Sequence, residues 1–189
     1  MVEIGLGSLW LPIVLSTVAL FFLGFLSWMV LGLHKADWNE LPDEDAFGKA
    51  VRDLNVQPGS YMFPFCADAE QMKSPEFIEK QKQGPVGIVQ IWEETGGMGK
   101  QLGCQFVFLL VTMFCLAYLA TLGVPAGAEF MQVFRFVGTA GILFFTVANV
   151  PTSIWFRSRI TGHIIDGVLL GLTAGIIFAL LWPGAPTAG

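Results

Sequence analysis

Charge is what this chain has least of. Only 13% of its 189 residues are charged, where a soluble domain carries about one-quarter, so water is not its main solvent. Histidine is scarcer still, with His34 and His163 the only two. Both fall at the ends of apolar runs, which excludes a haem held between two histidines at mid-membrane depth. The chain also lacks a Walker loop, a nucleotide-binding glycine fingerprint and an HExxH motif. The commonest nucleotide-dependent and zinc-hydrolase chemistries therefore have no residues to stand on, and the expectation leans away from an enzyme. Three cysteines, Cys66, Cys104 and Cys115, make an odd number with two of them in or beside an apolar run, so no disulfide framework is implied. The net charge is −5, with Asp and Glu crowded between residues 37 and 94, which argues against a nucleic-acid partner.

What is present is apolar length. The chain is 54% hydrophobic with a mean hydropathy of +0.64. A helix needs about 20 apolar residues to cross a bilayer. Four stretches qualify, at about 9–33, 102–124, 130–156 and 164–182. The first is too long and too poorly flanked for a cleaved signal segment and is expected to be retained. The expected fold is thus an all-α membrane protein, a four-transmembrane-helix bundle forming a single membrane domain. Lys35, Lys100, Arg157 and Arg159 flank one side only. Basic residues favour the cytoplasm, so both termini are expected in the periplasm and the loop of residues 34–100 in the cytoplasm. Trp10 and Trp182 near the outer face, and Trp28 and Trp155 nearer the inner one, suit headgroup-depth anchors.

The long loop is patterned rather than featureless. In Leu41 to Leu54, Pro42 and three acids suit a first helical turn, while Phe47, Ala50, Val51 and Leu54 form one apolar face. Ser60–Phe63 and Val86–Trp92 are strand candidates, and Ser74-Pro75-Glu76 opens a second helix that Gly84 stops. Together they predict a small α+β cytoplasmic cap formed by the loop between helices 1 and 2, needing the bundle or a partner to stay folded. Gly96 to Gly99 reads as a flexible return to the second span.

Several constellations could carry chemistry. His34 with Asp37, His163 with Asp166, and Cys66 from the cap would make an N/O/S metal set at the cytoplasmic face. The alternative is that these are solvated or dipole-compensating residues at helix ends, with Asp166 beginning the fourth helix. Arg135 lies roughly one and a half turns inside the third span, where a charge is costly. An ion pair with Glu129 or Glu3, or outward snorkelling, would account for it; transport would be the functional reading. Gly167, Gly171 and Gly175 recur every fourth residue and line one face of the fourth helix, the pattern for close helix packing. Pro151, with Asn149 and Thr152, predicts a kink in the third span. Acids around Cys66 disfavour a thiolate there, leaving it a packing or ligand role. Cys104 and Cys115 are assigned no chemistry.

The segments Trp10-Leu-Pro-Ile-Val-Leu-Ser, His34-Lys-Ala-Asp-Trp38, Leu41-Pro-Asp-Glu44, Pro58-Gly-Ser-Tyr-Met-Phe-Pro64, Gly84-Pro-Val-Gly87 and Val133-Phe-Arg-Phe-Val-Gly-Thr139 resemble a family of small, functionally uncharacterised bacterial inner-membrane proteins. The resemblance covers nearly the whole chain. It implies a four-helix architecture and a bacterial origin but no activity. Members often carry His immediately before the cysteine, where this chain has Phe65, a departure that tells against the cap's part in a metal site. The leading expectation is a non-catalytic accessory subunit of a larger membrane complex, of a photosynthetic or respiratory kind. Its partners would be other membrane subunits and lipids, with no cofactor of its own but bound lipid or a neighbouring pigment allowed. The competing expectation is a small membrane enzyme or metal-binding protein using His34, His163, Asp166 and Cys66, and a weaker third is a transporter component.

Overall fold

The computed structural model describes residues 4–93 and 97–184. Glu3 and Gly96, both invoked above, lie outside the described residues. Among the described residues four helices are long and apolar enough to cross a membrane: Leu6–Leu31, Met98–Gly123, Phe130–Phe156 and Thr161–Leu180. The chain divides into two compact units, residues 1–38 with 97–189, and residues 39–96.

In the first unit, α1 (Trp10–Phe25) is preceded by a 3-10 turn and runs into a π-helical turn, Leu26–Leu31. Its core face, Leu9, Ile13 and Leu20, meets Leu109, Met113, Leu116 and Ala120 of α4 (Met98–Gly123). Thr17 and Thr112 sit in this apolar interior because each hydroxyl donates to the carbonyl four residues back, at 2.8 Å, which satisfies it without a neighbour. The third span divides into α5 (Phe130–Val147) and α6 (Asn149–Phe156). The break is at Ala148 rather than at Pro151 itself. Proline has no N–H to donate to the carbonyl four residues back and its ring crowds that carbonyl, which here is that of Val147. Asn149 turns its amide onto the Phe145 carbonyl at 3.0 Å, supplying a donor at the break.

The fourth span, α7 (Thr161–Leu180), is three residues longer at its start than the hydropathy suggests. It packs on α5 through the glycine stripe. A Cβ on Gly175 would come within 2.9 Å of Gly138 Cα, one on Gly171 would collide with the backbone nitrogen of Ile142, and one on Gly167 with Thr146 Oγ1. The partner of the Gly167, Gly171 and Gly175 face is therefore α5 of the same chain, where Gly138 and Gly141 are the reciprocal small residues.

In the second unit, α2 (Glu44–Asp53) and α3 (Pro75–Gln83) accompany an antiparallel pair, β1 (Gly59–Phe63) and β2 (Gly87–Ile91), in register from Gly59 opposite Ile91 to Phe63 opposite Gly87. Ser74 caps α3 through the Phe77 amide at 3.2 Å, Pro75 takes the first helical position, and Gly84 ends the helix with φ +62°. Pro42 does not enter the first turn of α2 as expected. Asp43 takes the cap, its carboxylate accepting from the Ala46 amide at 2.8 Å, and an acid is a far better cap than the residues around it.

Candidate functional site

The loop-bearing end of the bundle brings both histidines of the chain together with Ser27, Asp37 and Asp166. Its geometry begins with the π turn that ends α1, a wider turn than the α-helix and one that recurs at functional sites. Gly32 closes it at φ +63°, a left-handed conformation that glycine adopts without cost. The Ser27 carbonyl accepts the amides of both Gly32 and Leu33. The chain thereby doubles back, and His34 lands beneath Trp28, its ring parallel to the indole at a centroid separation of 3.8 Å. A 3-10 turn, Lys35–Asp37, follows and returns Asp37 to the same histidine.

The other wall is the start of α7. Gly162 lets the backbones close, since a Cβ there would stand 2.9 Å from His34 Cε1 and 3.1 Å from the Leu33 carbonyl oxygen. One turn further on the same face, Asp166 reaches the buried ring. His34, 3% exposed, has Nδ1 2.7 Å from Asp37 Oδ2 and Nε2 3.0 Å from Asp166 Oδ2. The other oxygen of Asp166 accepts from Ser27 Oγ at 2.5 Å, and Ser27 is itself buried. His163 completes the group, its ring 4.8 Å from that of His34 and its Nε2 4.0 Å from Asp37 Oδ2. It is the most open member, with a side chain 35% exposed.

Of the residues the sequence singled out for a metal set, the bundle brings together His34, Asp37, His163 and Asp166, and it adds Ser27. Asp166 is not a dipole-compensating acid at the first turn. Because α7 starts at Thr161, Asp166 is the sixth helical residue, and its carboxylate is spent on Ser27 and His34. Cys66 belongs to the cap, where its thiol donates to the Asp68 carbonyl at 2.8 Å. Ser27 and Trp28 were not legible as site residues. The signal was Gly32 two residues before His34, a helix stop that folds the following histidine back under the last turn.

The chemistry of the cluster follows from its lone pairs. A neutral imidazole has one N–H, yet both nitrogens of His34 face carboxylate oxygens. When Nε2 carries the proton and gives it to Asp166, the Nδ1 lone pair and Asp37 Oδ2 confront each other at 2.7 Å. Something positive must then lie at that point, either a second proton or a cation. His34 Nδ1, Asp37 Oδ2 and His163 Nε2 all lie within 4.8 Å of one another. Ligand bonds of about 2.0–2.1 Å require ligand atoms roughly 3.3 Å apart around a tetrahedral ion, so seating one requires Asp37 Oδ2 to draw back from His34 Nδ1 and His163 Nε2 to approach.

At the opposite end, Arg135 is exposed on α5 and lines a groove with Glu129 and Gln132. Among the described residues no carboxylate lies within 4.0 Å of it, so the expected ion pair with Glu129 does not form. Comparison of the chain with models of known protein families, with curated proteins and with solved structures found no match. What the four spans define is a class, a multi-pass helical membrane protein.

Proposed function

We propose that this protein binds one borderline divalent metal ion, zinc or ferrous iron, at the loop-bearing end of its bundle. His34 Nδ1, His163 Nε2 and Asp37 would be the ligands, and Asp166 and Ser27 would hold His34 from behind. The observation that carries this is the support of His34. Metal-bound histidines almost always donate their other N–H to an acceptor, which fixes the tautomer and turns the free lone pair towards the ion. The Nε2–Asp166–Ser27 chain is such a support, buried and complete at 3.0 and 2.5 Å. Two histidines and one carboxylate also leave coordination positions open, the pattern of zinc and non-haem iron sites that meet a further ligand. The exposed edge of His163 is where that ligand would enter.

Purification in mild detergent followed by elemental analysis tests the reading. About one equivalent of zinc or iron per chain is expected, lost in His34→Ala and His163→Ala, with affinity lowered about 10–100-fold in Asp166→Asn. A folded protein that takes up neither ion at micromolar concentration overturns it.

A second reading rests on the cap. Its described residues bury one large apolar side chain, Phe77, and leave Leu54, Phe65 and Trp92 exposed. That surface supports an accessory subunit of a larger bacterial inner-membrane complex, the loop facing the cytoplasm. Co-purification from native membranes in fixed ratio with a pigmented or haem-bearing complex would support it, and a lone colourless species would remove it. Protease accessibility of the loop in spheroplasts against inverted vesicles tests the orientation.

A further inference from the structure

At the end of the bundle away from the histidine cluster, a groove of about 770 Å³ runs beside α5 and the end of α4. Gln132, Arg135, Phe136, Thr139, Ala140 and Leu143 line it. Their steps of three and four make them one stripe along the helix. The stripe is polar at its outer end and apolar further into the span. At the α4 end Phe136 packs over Gly123, where a Cβ would lie 2.5 Å from Phe136 Cε2.

A guanidinium inside a membrane span needs a counter-charge. Arg135 has none among the described residues. Glu129 also lines the groove, but it precedes Arg135 by six residues. That is roughly 9 Å along the axis at about 1.5 Å per residue, and about 120° around it. Gln132, one turn before Arg135 on the same stripe, also lines the groove and carries an amide N–H₂ able to donate to an anion.

From this juxtaposition we propose that the groove binds an anionic phospholipid of the surrounding leaflet. Its phosphate pairs with the Arg135 guanidinium, which suits bidentate phosphate recognition, and accepts from Gln132. One acyl chain lies along Phe136, Ala140 and Leu143. A soluble anion would use only the outer half of the stripe and a neutral lipid only the inner half, while a zwitterionic lipid would bring a second cation beside the guanidinium. An anionic amphiphile uses both. The inference is independent of the metal reading, since no residue is shared.

The test is a lipid titration of full-length protein, delipidated in dodecyl maltoside, with phosphatidylglycerol or phosphatidylcholine in mixed micelles, bound lipid being counted by native mass spectrometry. At least about a tenfold preference for phosphatidylglycerol is expected. Arg135→Gln should abolish the preference and Arg135→Lys should retain most of it. Gln132→Glu, which places a competing carboxylate beside the guanidinium, should also remove it, and Ala140→Trp, which fills the acyl path, should reduce binding of both lipids. Equal binding of the two lipids by wild type overturns the proposal, as does a preference that survives Arg135→Gln. Displacement of phosphatidylglycerol by an equal concentration of inorganic phosphate also overturns it, because the acyl half would then contribute nothing.

Discussion

The two ends of the bundle handle charge in opposite ways. At the loop-bearing end two carboxylates, a serine and a stacked indole enclose one histidine, and both of its ring nitrogens meet carboxylates of the same chain. At the other end a single arginine stands exposed on the third span with no described carboxylate in reach. One end holds its buried imidazole between its own carboxylates, and the other presents a guanidinium to which the described residues offer none. The difference teaches that charge in a membrane protein is compensated by whichever partner is present when the chain folds. A site closed on itself should behave as structure in any detergent. An open one should depend on lipid.

The largest expected effect breaks the closed end. His34→Ala removes the imidazole that bridges Asp37 and Asp166, and each hydrogen bond to a charged group contributes about 1.5–3 kcal/mol. Thermal unfolding in detergent should show the loss as a large drop in midpoint. A variant that melts with wild type would mean that the cluster does not tie α1 to α7.

Removing the outermost support should cost less. Ser27→Ala deletes the donor to Asp166 Oδ1 without removing a charge, and hydrogen bonds to charged groups contribute about 1.5–3 kcal/mol. The same thermal assay, read beside His34→Ala in a double-mutant cycle, should give less than additive losses because both act through Asp166. Additive losses would place Ser27 outside the network.

Gly171→Ala tests the spine that joins both ends. Its added methyl would meet the backbone nitrogen of Ile142, an atom that cannot rotate away, so α5 and α7 must separate at a cost of about 1–3 kcal/mol. Gly103, with nothing within 4 Å of its Cβ position, is the control, and Gly103→Ala should leave the midpoint unchanged or slightly raised.

Much of this contrast was legible beforehand, and the reasons are physical. Apolar length is a property of consecutive residues, so the four spans, the glycine stripe of α7 and the cost of Arg135 could be read directly. The Ser74-Pro75 helix start and the strand candidates around Tyr61 and Val89 rest on local backbone chemistry and were equally visible. The His34, His163 and Asp166 grouping was visible only as a coincidence of helix ends. Its actual geometry depends on a π turn, a left-handed Gly32 and a backbone approach at Gly162, which are tertiary facts with weak local signatures. The break at Ala148 was displaced from Pro151 because proline disrupts the carbonyl four residues before it, not its own position.

The smallest expected effect is the most discriminating for the comparison. Arg135→Gln removes an exposed charge that touches no described carboxylate, and exposed substitutions usually change stability by no more than about 0.5 kcal/mol. In lipid-free detergent its melting midpoint should therefore match wild type. In micelles containing phosphatidylglycerol, wild type should gain stability by ligand linkage, by about 2.7 kcal/mol at a hundredfold excess over Kd, while Arg135→Gln gains only what phosphatidylcholine gives. The ends would then differ in kind, one stabilised from within and the other from the leaflet. An Arg135→Gln midpoint that falls as far as that of His34→Ala without any lipid would show that both ends are closed by protein and that the contrast between them does not exist.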